Sequence, residues 1–392
     1  MKKSCKLFII FILLISFAVP ACAKTSPFCT LDPNIFDSPS FILMEAKTGT
    51  IIMEKDADKR MPMASITKLT VLLIADDYIA KGKISLNDIV TGTAEAKATE
   101  GSRIYLDEGE KMTVDQIMKS ISLPSANDAA VAFADFISGN EKDFVKLMNK
   151  KADELGLKNT HYVTVSGLDA DGHYSTARDI ATISREIVLH HPRLMQHAGT
   201  RTDSIRNGTF PLQNTNKLLS RYQYATGLKT GTTDNAGYCL AATAKKNGVD
   251  LIAVILGAKT ADSRFTEAKY LFEYAYKTFS LMNIRKKGAL TDEKGKHIYA
   301  NVIRGNLDKV PLNLKNDLTV YVPSGKANSL KVDISIDKKI KAPIPKGTAV
   351  GEVTVHSGSV LVGSEKAVTA QEVKKMNIFQ AFFKVIKSWL SF

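Results

Sequence analysis

Three short motifs, far apart along this chain of 392 residues, constrain its fold more than any other feature. Each supplies polar side chains that can activate or bind a reacting group. A serine hydroxyl is a poor nucleophile unless a neighbouring base takes its proton, so the motifs can act together only if the chain folds to bring them to one site. The motifs are Ser65-Ile66-Thr67-Lys68, Ser125-Ala126-Asn127 and Lys229-Thr230-Gly231.

Each motif alone is a weak signal, because the chain carries further copies of every pattern. A second S-x-x-K begins at Ser335, within an alternating strand pattern, and a second K-T-G begins at Lys47, within a turn. Residues i and i+3 point to opposite faces of a strand, whereas at a helix start they lie on one face about 5–6 Å apart. The predicted helix start at Ser65 therefore favours the pair formed by Ser65 and Lys68.

Residues 1–23 have the pattern of a secretory signal peptide. Lysines precede an apolar run from Leu7 to Val19 that is interrupted by Ser16, and a small-residue cleavage site ends at Ala23. The run is too short to span a hydrocarbon core, which takes about 20 residues, so we expect cleavage after Ala23 and export. Cys22 leaves processing as a bacterial lipoprotein open as an alternative.

The chain has a formal net charge of +13 and stays basic after the lysines of the signal peptide are removed. A basic exported protein can bind an anionic membrane surface or a cell-wall polymer, and charge alone does not choose between them. Nucleic acid is not an expected partner outside the cell.

Hydrophobic periodicity predicts a first domain of helices and antiparallel strands. Residues 40–56 read as an edge hairpin, and Asn247-Gly248 joins a second hairpin, since Asn-Gly is a strong hairpin signal. The order of these elements predicts an α+β fold in which helices pack on an antiparallel sheet. Helices are predicted at 65–80, 113–120, 127–137, 141–155, 177–189 and 263–281, and strands at 227–230, 237–244 and 249–258.

The pattern changes after residue 283. Short alternating runs at 318–322, 330–336 and 349–355, separated by prolines, predict a small all-β domain. The expected organisation is a signal peptide at 1–23, a catalytic domain at 24–283, a β-sandwich domain at 284–370 and an amphipathic helix at 371–392.

The last segment combines a polar face that carries lysines with a wide face of Phe, Trp and Ile. Such a helix can lie in the interface of a membrane, and this is the favoured interpretation. A terminal helix packed on the protein's own core is the alternative.

The residue types of the three motifs predict an acyl transfer to serine. Lys68 can accept the proton of Ser65 if burial and the nearby charge of Lys229 hold it partly neutral. Ser125 can relay a proton to the leaving amine, and the Asn127 amide can orient Lys68 and bind a substrate carbonyl. A plain role for Ser125 and Asn127 as helix caps is the alternative.

The strand that begins at Lys229 can pair with an extended peptide by strand addition. The backbone N–H groups of Ser65 and Thr232 would then form an oxyanion hole. The hydroxyls of Thr230 and Thr232, in the strand that includes Gly231, suit a terminal carboxylate next to the charge of Lys229. The predicted substrate is therefore a peptide with a free C-terminus.

With these motifs the sequence resembles the serine D-alanyl-D-alanine carboxypeptidases, the low-molecular-mass penicillin-binding proteins. The resemblance implies the penicillin-binding and β-lactamase type of catalytic fold, removal of the terminal D-alanine from peptidoglycan stem peptides, and acylation of Ser65 by β-lactams. It also implies that Arg264 binds the substrate carboxylate. The runs that carry it are 64–69, 101–102, 124–130, 167–169, 175–179 and 227–231.

Two other functions share these motifs. A β-lactamase would need a glutamate in an E-x-x-L-N run, and the nearest match, Glu154 to Asn159, has the wrong spacing. A non-catalytic penicillin-binding sensor would not require complete motifs. No metal or cofactor is expected, because the histidines lack the acidic partners and spacing of a metal site.

Overall fold

The computed structural model describes residues 28–337 and 339–390, so the predicted signal peptide at 1–23 lies outside the described residues. The strands of the first domain are β1 (Ser40–Glu45), β2 (Ile51–Lys55), β3 (Ile89–Thr91), β4 (Lys111–Thr113), β5 (Thr202–Ile205), β6 (Phe210–Gln213), β7 (Ala225–Thr233), β8 (Gly237–Lys246) and β9 (Val249–Ala258). Its helices are α1 (Lys68–Ala80), α2 (Ala94–Ala98), α3 (Val114–Ser122), α4 (Asn127–Ser138), α5 (Glu141–Glu154), α6 (Ala177–His190), α7 (Pro192–Gly199), α8 (Leu218–Arg221) and α9 (Ser263–Thr278).

The first domain is built on an antiparallel sheet with the strand order β2-β1-β9-β8-β7. Both faces of the sheet are buried, which explains why β9 carries no polar side chain from residue 251 to residue 258. Alternate side chains enter different cores, because successive residues of a strand point to opposite faces. Ile252 and Val254 join the core formed with the helices α1 to α7, whereas Ala253 and Ile255 join the core formed with α9.

Helix α1 lies inside the helical layer, and its residues from Lys68 to Asp76 are all buried. A single turn of 3₁₀ helix, Ala64–Thr67, leads into it. The sequence predicted one α-helix from Ser65. The structure differs in the first turn, where Ser65 lies in the 3₁₀ segment.

The buried carboxylate of Asp128, at the start of α4, holds the loop that precedes β4. It accepts hydrogen bonds from the backbone N–H groups of Ile104 at 3.1 Å, Leu106 at 3.0 Å and Ala129 at 2.8 Å. Buried backbone N–H groups need acceptors, and Asp128 supplies the acceptor for Ile104 and Leu106, so the loop depends on this side chain.

Helix α9 ends at Thr278, and the chain continues directly as β10 (Phe279–Arg285). The sequence predicted a helix that continued to residue 281, and that prediction is wrong. Phe279 and Leu281 alternate as in a strand and pair with Pro323 and Tyr321. The expected domain boundary at 283/284 falls inside β10.

Tyr321 connects the two domains. Its ring stacks on Phe279 with centroids 5.6 Å apart, and its hydroxyl donates to the carbonyl of Ala275 over 3.2 Å. A residue of the second domain thus completes the core around α9.

The second domain is all-β within the described residues, apart from one 3₁₀ turn at Ser324–Ser329. The strands of its main sheet are β12 (Tyr299–Ile303), β13 (Lys309–Leu314), β15 (Leu330–Ile336), β16 (Ile340–Lys341), β17 (Ala349–Ser357) and β18 (Val360–Thr369). They have the order β15-β17-β18-β13-β12-β16, in which β12 and β16 are parallel. The other strands are β10, β11 (Gly288–Ala289) and β14 (Leu318–Pro323).

The last element of the described residues is helix α10 (Ile378–Leu390). Asn377 and Gln380 cap its first turn reciprocally, each side chain accepting from the other residue's backbone N–H. Phe379 and Phe383 are 72% and 67% exposed, so these two aromatic side chains are not packed on the protein's own core. Among the described residues, no helix is both long and apolar enough to cross a membrane.

Replacing Asp128 by alanine should lower the free energy of unfolding by about 3 kcal/mol, because buried N–H groups of the loop lose their acceptor. Urea unfolding followed by circular dichroism measures the effect. Asp153→Ala, at an exposed position of α5, is the matched control and should stay within about 0.5 kcal/mol of the unsubstituted protein. Equal stability of the two variants would show that Asp128 does not hold the loop.

Candidate active site

The 3₁₀ turn before α1 brings Ser65 and Lys68 into contact. Side chains three residues apart are eclipsed on a 3₁₀ helix, and Lys68 Nζ lies 2.8 Å from Ser65 Oγ. The structure therefore joins a hydroxyl and an amine directly, as the predicted chemistry requires.

The Lys68 amine is fully buried and has three hydrogen-bond partners. Besides Ser65, its Nζ donates to Asn127 Oδ1 and to the carbonyl of Ser166, each over 2.6 Å. Burial holds the pKa of Lys68 well below its usual value, and the charge of Lys229 lowers that pKa further. The Asp128 carboxylate acts in the opposite direction. Burial is the largest of these causes, and it favours the neutral form of the amine over the ammonium.

The segment before α4 supplies the second motif. Asn127 lies between two partners, since its Oδ1 accepts from Lys68 while its Nδ2 donates to the carbonyl of Glu100 over 2.6 Å. Ser125 has a left-handed backbone with φ of +68°, and its hydroxyl is buried without a hydrogen-bond partner among the described residues. Neither side chain caps α4, whose N-cap is Ala126. The alternative role as helix caps is therefore wrong.

Strand β7 forms the opposite wall of the cleft, at the edge of the sheet. Lys229 is buried, and burial together with Arg264 lowers its pKa to about 7. A Cβ atom on Gly231 would lie 2.8 Å from the carbonyl oxygen of Met63 and 3.0 Å from the backbone nitrogen of Ser65. Only glycine lets β7 pack this closely on the turn that carries Ser65.

The threonines of β7 are held by side chains around them. Thr230 shares a 2.6 Å hydrogen bond with Thr215. Arg264 Nη1 donates to the carbonyl of Gly231 at 2.9 Å, to Thr232 Oγ1 at 3.2 Å and to a backbone carbonyl of β8. Arg264 is 7% exposed, so it supports β7 from the α9 side of the sheet.

Two site features were not predicted from the sequence. The carbonyl of Ser166 bonds Lys68, and a backbone carbonyl gives no residue-type signal. Asp169 accepts from Thr233 Oγ1 over 2.7 Å and ties the loop after Ser166 to the end of β7. The sequence did contain a signal for Asp169, because the run 167–169 is one of the segments that carry the family resemblance.

Residues 28–260 match the D-alanyl-D-alanine carboxypeptidase family, and residues 287–375 match the C-terminal domain of penicillin-binding protein 5. The D-alanyl-D-alanine carboxypeptidase DacF of Bacillus subtilis is 33% identical over 396 residues, which cover 100% of each chain. This chain belongs to the D-alanyl-D-alanine carboxypeptidase family. The predicted family is thus confirmed.

Solved structures agree with the fold of this carboxypeptidase. Penicillin-binding protein 5 from Haemophilus influenzae has a TM-score of 0.80 at 30% identity and covers 88% of this chain and 100% of its own. Penicillin-binding protein D2 from Listeria monocytogenes, solved in an ampicillin-bound form, has a TM-score of 0.56 at 31% identity, covering 61% of this chain and 96% of its own. The predicted α+β class with a C-terminal all-β domain is confirmed.

Replacing Lys229 by methionine in the carboxypeptidase should raise the pKa of Lys68. Lys229 is positive below a pKa of about 7 and destabilises the Lys68 ammonium, so its removal favours the charged form of Lys68. The change in the protonated fraction of Lys68 should be largest below pH 7, where Lys229 would otherwise be charged. Side-chain ¹⁵N NMR of the lysines against pH measures it.

The matched control is Lys47→Met, which removes the exposed lysine of the other K-T-G sequence. It should leave the titration of Lys68 unchanged. A Lys68 titration that is identical in all three proteins would rule out electrostatic coupling between the two buried lysines.

Proposed function

We propose that this carboxypeptidase removes the terminal D-alanine from peptidoglycan stem peptides through an acyl-Ser65 intermediate. The observation that carries the proposal is the contact of Ser65 Oγ with a fully buried lysine amine whose pKa is strongly lowered. A hydroxyl beside a neutral amine is an activated nucleophile.

In the acylation step, Lys68 Nζ accepts the Ser65 proton as Ser65 Oγ bonds to the scissile carbonyl carbon. The hydrogen bond of Lys68 to Asn127 holds the amine toward Ser65. Collapse of the tetrahedral intermediate breaks the peptide C–N bond, and a proton passes to the leaving nitrogen. Water then hydrolyses the ester and regenerates Ser65.

Ser125 is the proposed proton relay: it donates its proton to the leaving amine and takes up the proton that Lys68 received from Ser65. Its hydroxyl is buried and free of other hydrogen bonds among the described residues, so it is available to a bound substrate. Its left-handed backbone is a strained conformation for a residue with a Cβ, and such strain is concentrated at functional sites.

The substrate is proposed to bind as an additional strand along β7, with its carbonyl in an oxyanion hole formed by the N–H groups of Ser65 and Thr232. The position of β7 at the edge of the sheet supports this arrangement. Thr230, Thr232 and Lys229 are the proposed carboxylate site. Arg264 contributes through its hydrogen bond to Thr232, which fixes the hydroxyl, and through its charge.

β-lactams are proposed to acylate the same Ser65 hydroxyl. The ampicillin-bound form of the Listeria relative supports this expectation. A β-lactamase is less well supported, because Glu154 ion-pairs with Lys151 over 3.1 Å at the end of α5. A sensor without activity is less well supported, because the polar contacts of Lys68 are complete.

Ser65→Ala should abolish release of D-alanine from a diacyl-Lys-D-Ala-D-Ala peptide, since no acyl-enzyme can form. A coupled assay for free D-alanine measures turnover, and fluorescent penicillin followed on a denaturing gel measures acylation. Ser335→Ala, which removes the exposed serine of the other S-x-x-K sequence, is the matched control and should retain full activity.

Undiminished release of D-alanine by Ser65→Ala would exclude the mechanism. Rapid turnover of penicillin by the unsubstituted protein would indicate a β-lactamase instead. Stable acylation without turnover of the peptide would indicate a sensor.

Export and attachment to the outer face of the cytoplasmic membrane, next to the cell wall, are proposed from the two ends of the chain. Residues 1–23 supply the expected signal peptide. Helix α10 supplies the membrane contact, because its exposed aromatic side chains are suited to the membrane interface.

Replacing Phe379 and Phe383 together by serine should weaken binding to anionic phospholipid vesicles by about 10-fold or more, because burial of apolar area drives interfacial binding. Co-sedimentation with vesicles measures binding. Tyr299→Ala removes an aromatic side chain that is 49% exposed in the second domain, and it should bind as the unsubstituted protein does. Equal binding by all three proteins would contradict a membrane role for α10.

A further inference from the structure

A chain of hydrogen bonds leads from the loop 163–173 to the residue before the nucleophile. The backbone N–H of Val163 donates to His173 Nδ1 over 3.0 Å. His173 Nε2 lies 2.8 Å from Thr67 Oγ1, and Thr67 Oγ1 donates to the carbonyl oxygen of Ala64 over 2.8 Å. His173 and Thr67 are both buried.

The direction of each bond is determined by the groups at the two ends. A backbone N–H can only donate, so Nδ1 of His173 is the acceptor and Nε2 carries the hydrogen. The Ala64 carbonyl can only accept, so the single hydroxyl hydrogen of Thr67 points to it. The Nε2–H of His173 therefore donates to Thr67 Oγ1.

The chain requires a neutral His173, and its surroundings keep the ring neutral. Burial is the main cause that lowers the pKa of His173 to about 4, with smaller contributions from the charges of His161 and Lys68. Asp169 raises the pKa slightly. At neutral pH the ring therefore accepts on Nδ1 and donates from Nε2.

The Ala64 carbonyl belongs to the same peptide unit as the Ser65 N–H. A trans peptide is planar, so its C=O and N–H point in opposite directions, and holding one fixes the other. Ala64 has φ of +49°, in the left-handed region that alanine rarely adopts. A conformation of this kind persists when its surroundings hold it.

A second residue packs closely against the Ala64 carbonyl. Gly167 packs so closely that a Cβ atom there would lie 2.0 Å from the Ala64 oxygen. The peptide between Ala64 and Ser65 is thus held by Thr67 and enclosed by Gly167, while β7 packs on its other side through Gly231.

We propose that Thr67 and His173 are positioning residues that hold the peptide between Ala64 and Ser65, and so aim the Ser65 N–H at the oxyanion that forms during acylation. The proposal rests on the proposed function of Ser65 as nucleophile and oxyanion donor. It concerns a transition-state interaction, so it predicts a loss in the rate of acylation rather than in substrate binding.

The test compares Thr67→Val with Thr67→Ser. Valine keeps the shape of threonine and removes the hydroxyl, whereas serine keeps the hydroxyl. Thr67→Val should lower kcat and the first-order rate constant of penicillin acylation by about 10- to 100-fold with little change in KM, a smaller loss than the ~10²–10³-fold of deleting an oxyanion donor. Thr67→Ser should retain at least about half of the rate.

Rates close to those of the unsubstituted enzyme in Thr67→Val would overturn the positioning role, and so would equal losses in both variants. A measurement on the unsubstituted protein does not depend on the folding of a variant. The ¹⁵N spectrum of the His173 ring should show hydrogen on Nε2 at neutral pH, and hydrogen on Nδ1 would overturn the proposal.

Failure of this proposal differs from failure of the proposed function. If Ser65→Ala is still acylated by penicillin, the assignment of the nucleophile is wrong. If Ser65→Ala is inert and Thr67→Val is fully active, only the positioning role is wrong.

Discussion

The burial of the Lys68 amine is the constraint on which the rest of the site depends. An amine removed from water needs hydrogen-bond partners around it, and Lys68 obtains them from three separate segments: the Ser65 hydroxyl, the Asn127 amide oxygen and the carbonyl of Ser166. The requirement to satisfy one buried Nζ therefore brings together the 3₁₀ turn, the start of α4 and the loop before α6. The same burial produces the low pKa that the chemistry uses.

The geometry around this amine is maintained by unusual backbone on both sides. Ala64 and Ser125 each have positive φ, the first immediately before Ser65 and the second two residues before Asn127. Ala64 packs on β7 at Gly231, and Ser125 lies between the largely buried helices α3 and α4, so the core of the first domain stabilises conformations that the local sequence does not favour. Rigidity at the site is in this sense a property of the whole sheet and helix packing.

The general fold could be predicted from the sequence, and so could the contact of Ser65 with Lys68, because both leave side-chain patterns. The Asn247-Gly248 turn indicated the hairpin of β8 and β9, and the predicted helix start at Ser65 distinguished it from Ser335, which lies in a strand pattern. Contacts made by the backbone left no such pattern, and neither the carbonyl of Ser166 nor the peptide of Ala64 could be found in this way. The end of α9 was also missed, because Phe279 and Leu281 satisfy a helical pattern until pairing with β14 selects the strand.

Asp128 combines two effects that oppose each other. Its carboxylate holds the backbone of the loop at Ile104 and Leu106, yet its charge raises the pKa of Lys68 and so disfavours the neutral amine. Evolution of a more reactive site cannot proceed by removing that charge without loosening the fold. The pKa of Lys68 can instead be adjusted from the other side of the site, where the charge of Lys229 lowers it. Selection on stability then acts on Asp128, and selection on rate acts on Lys229.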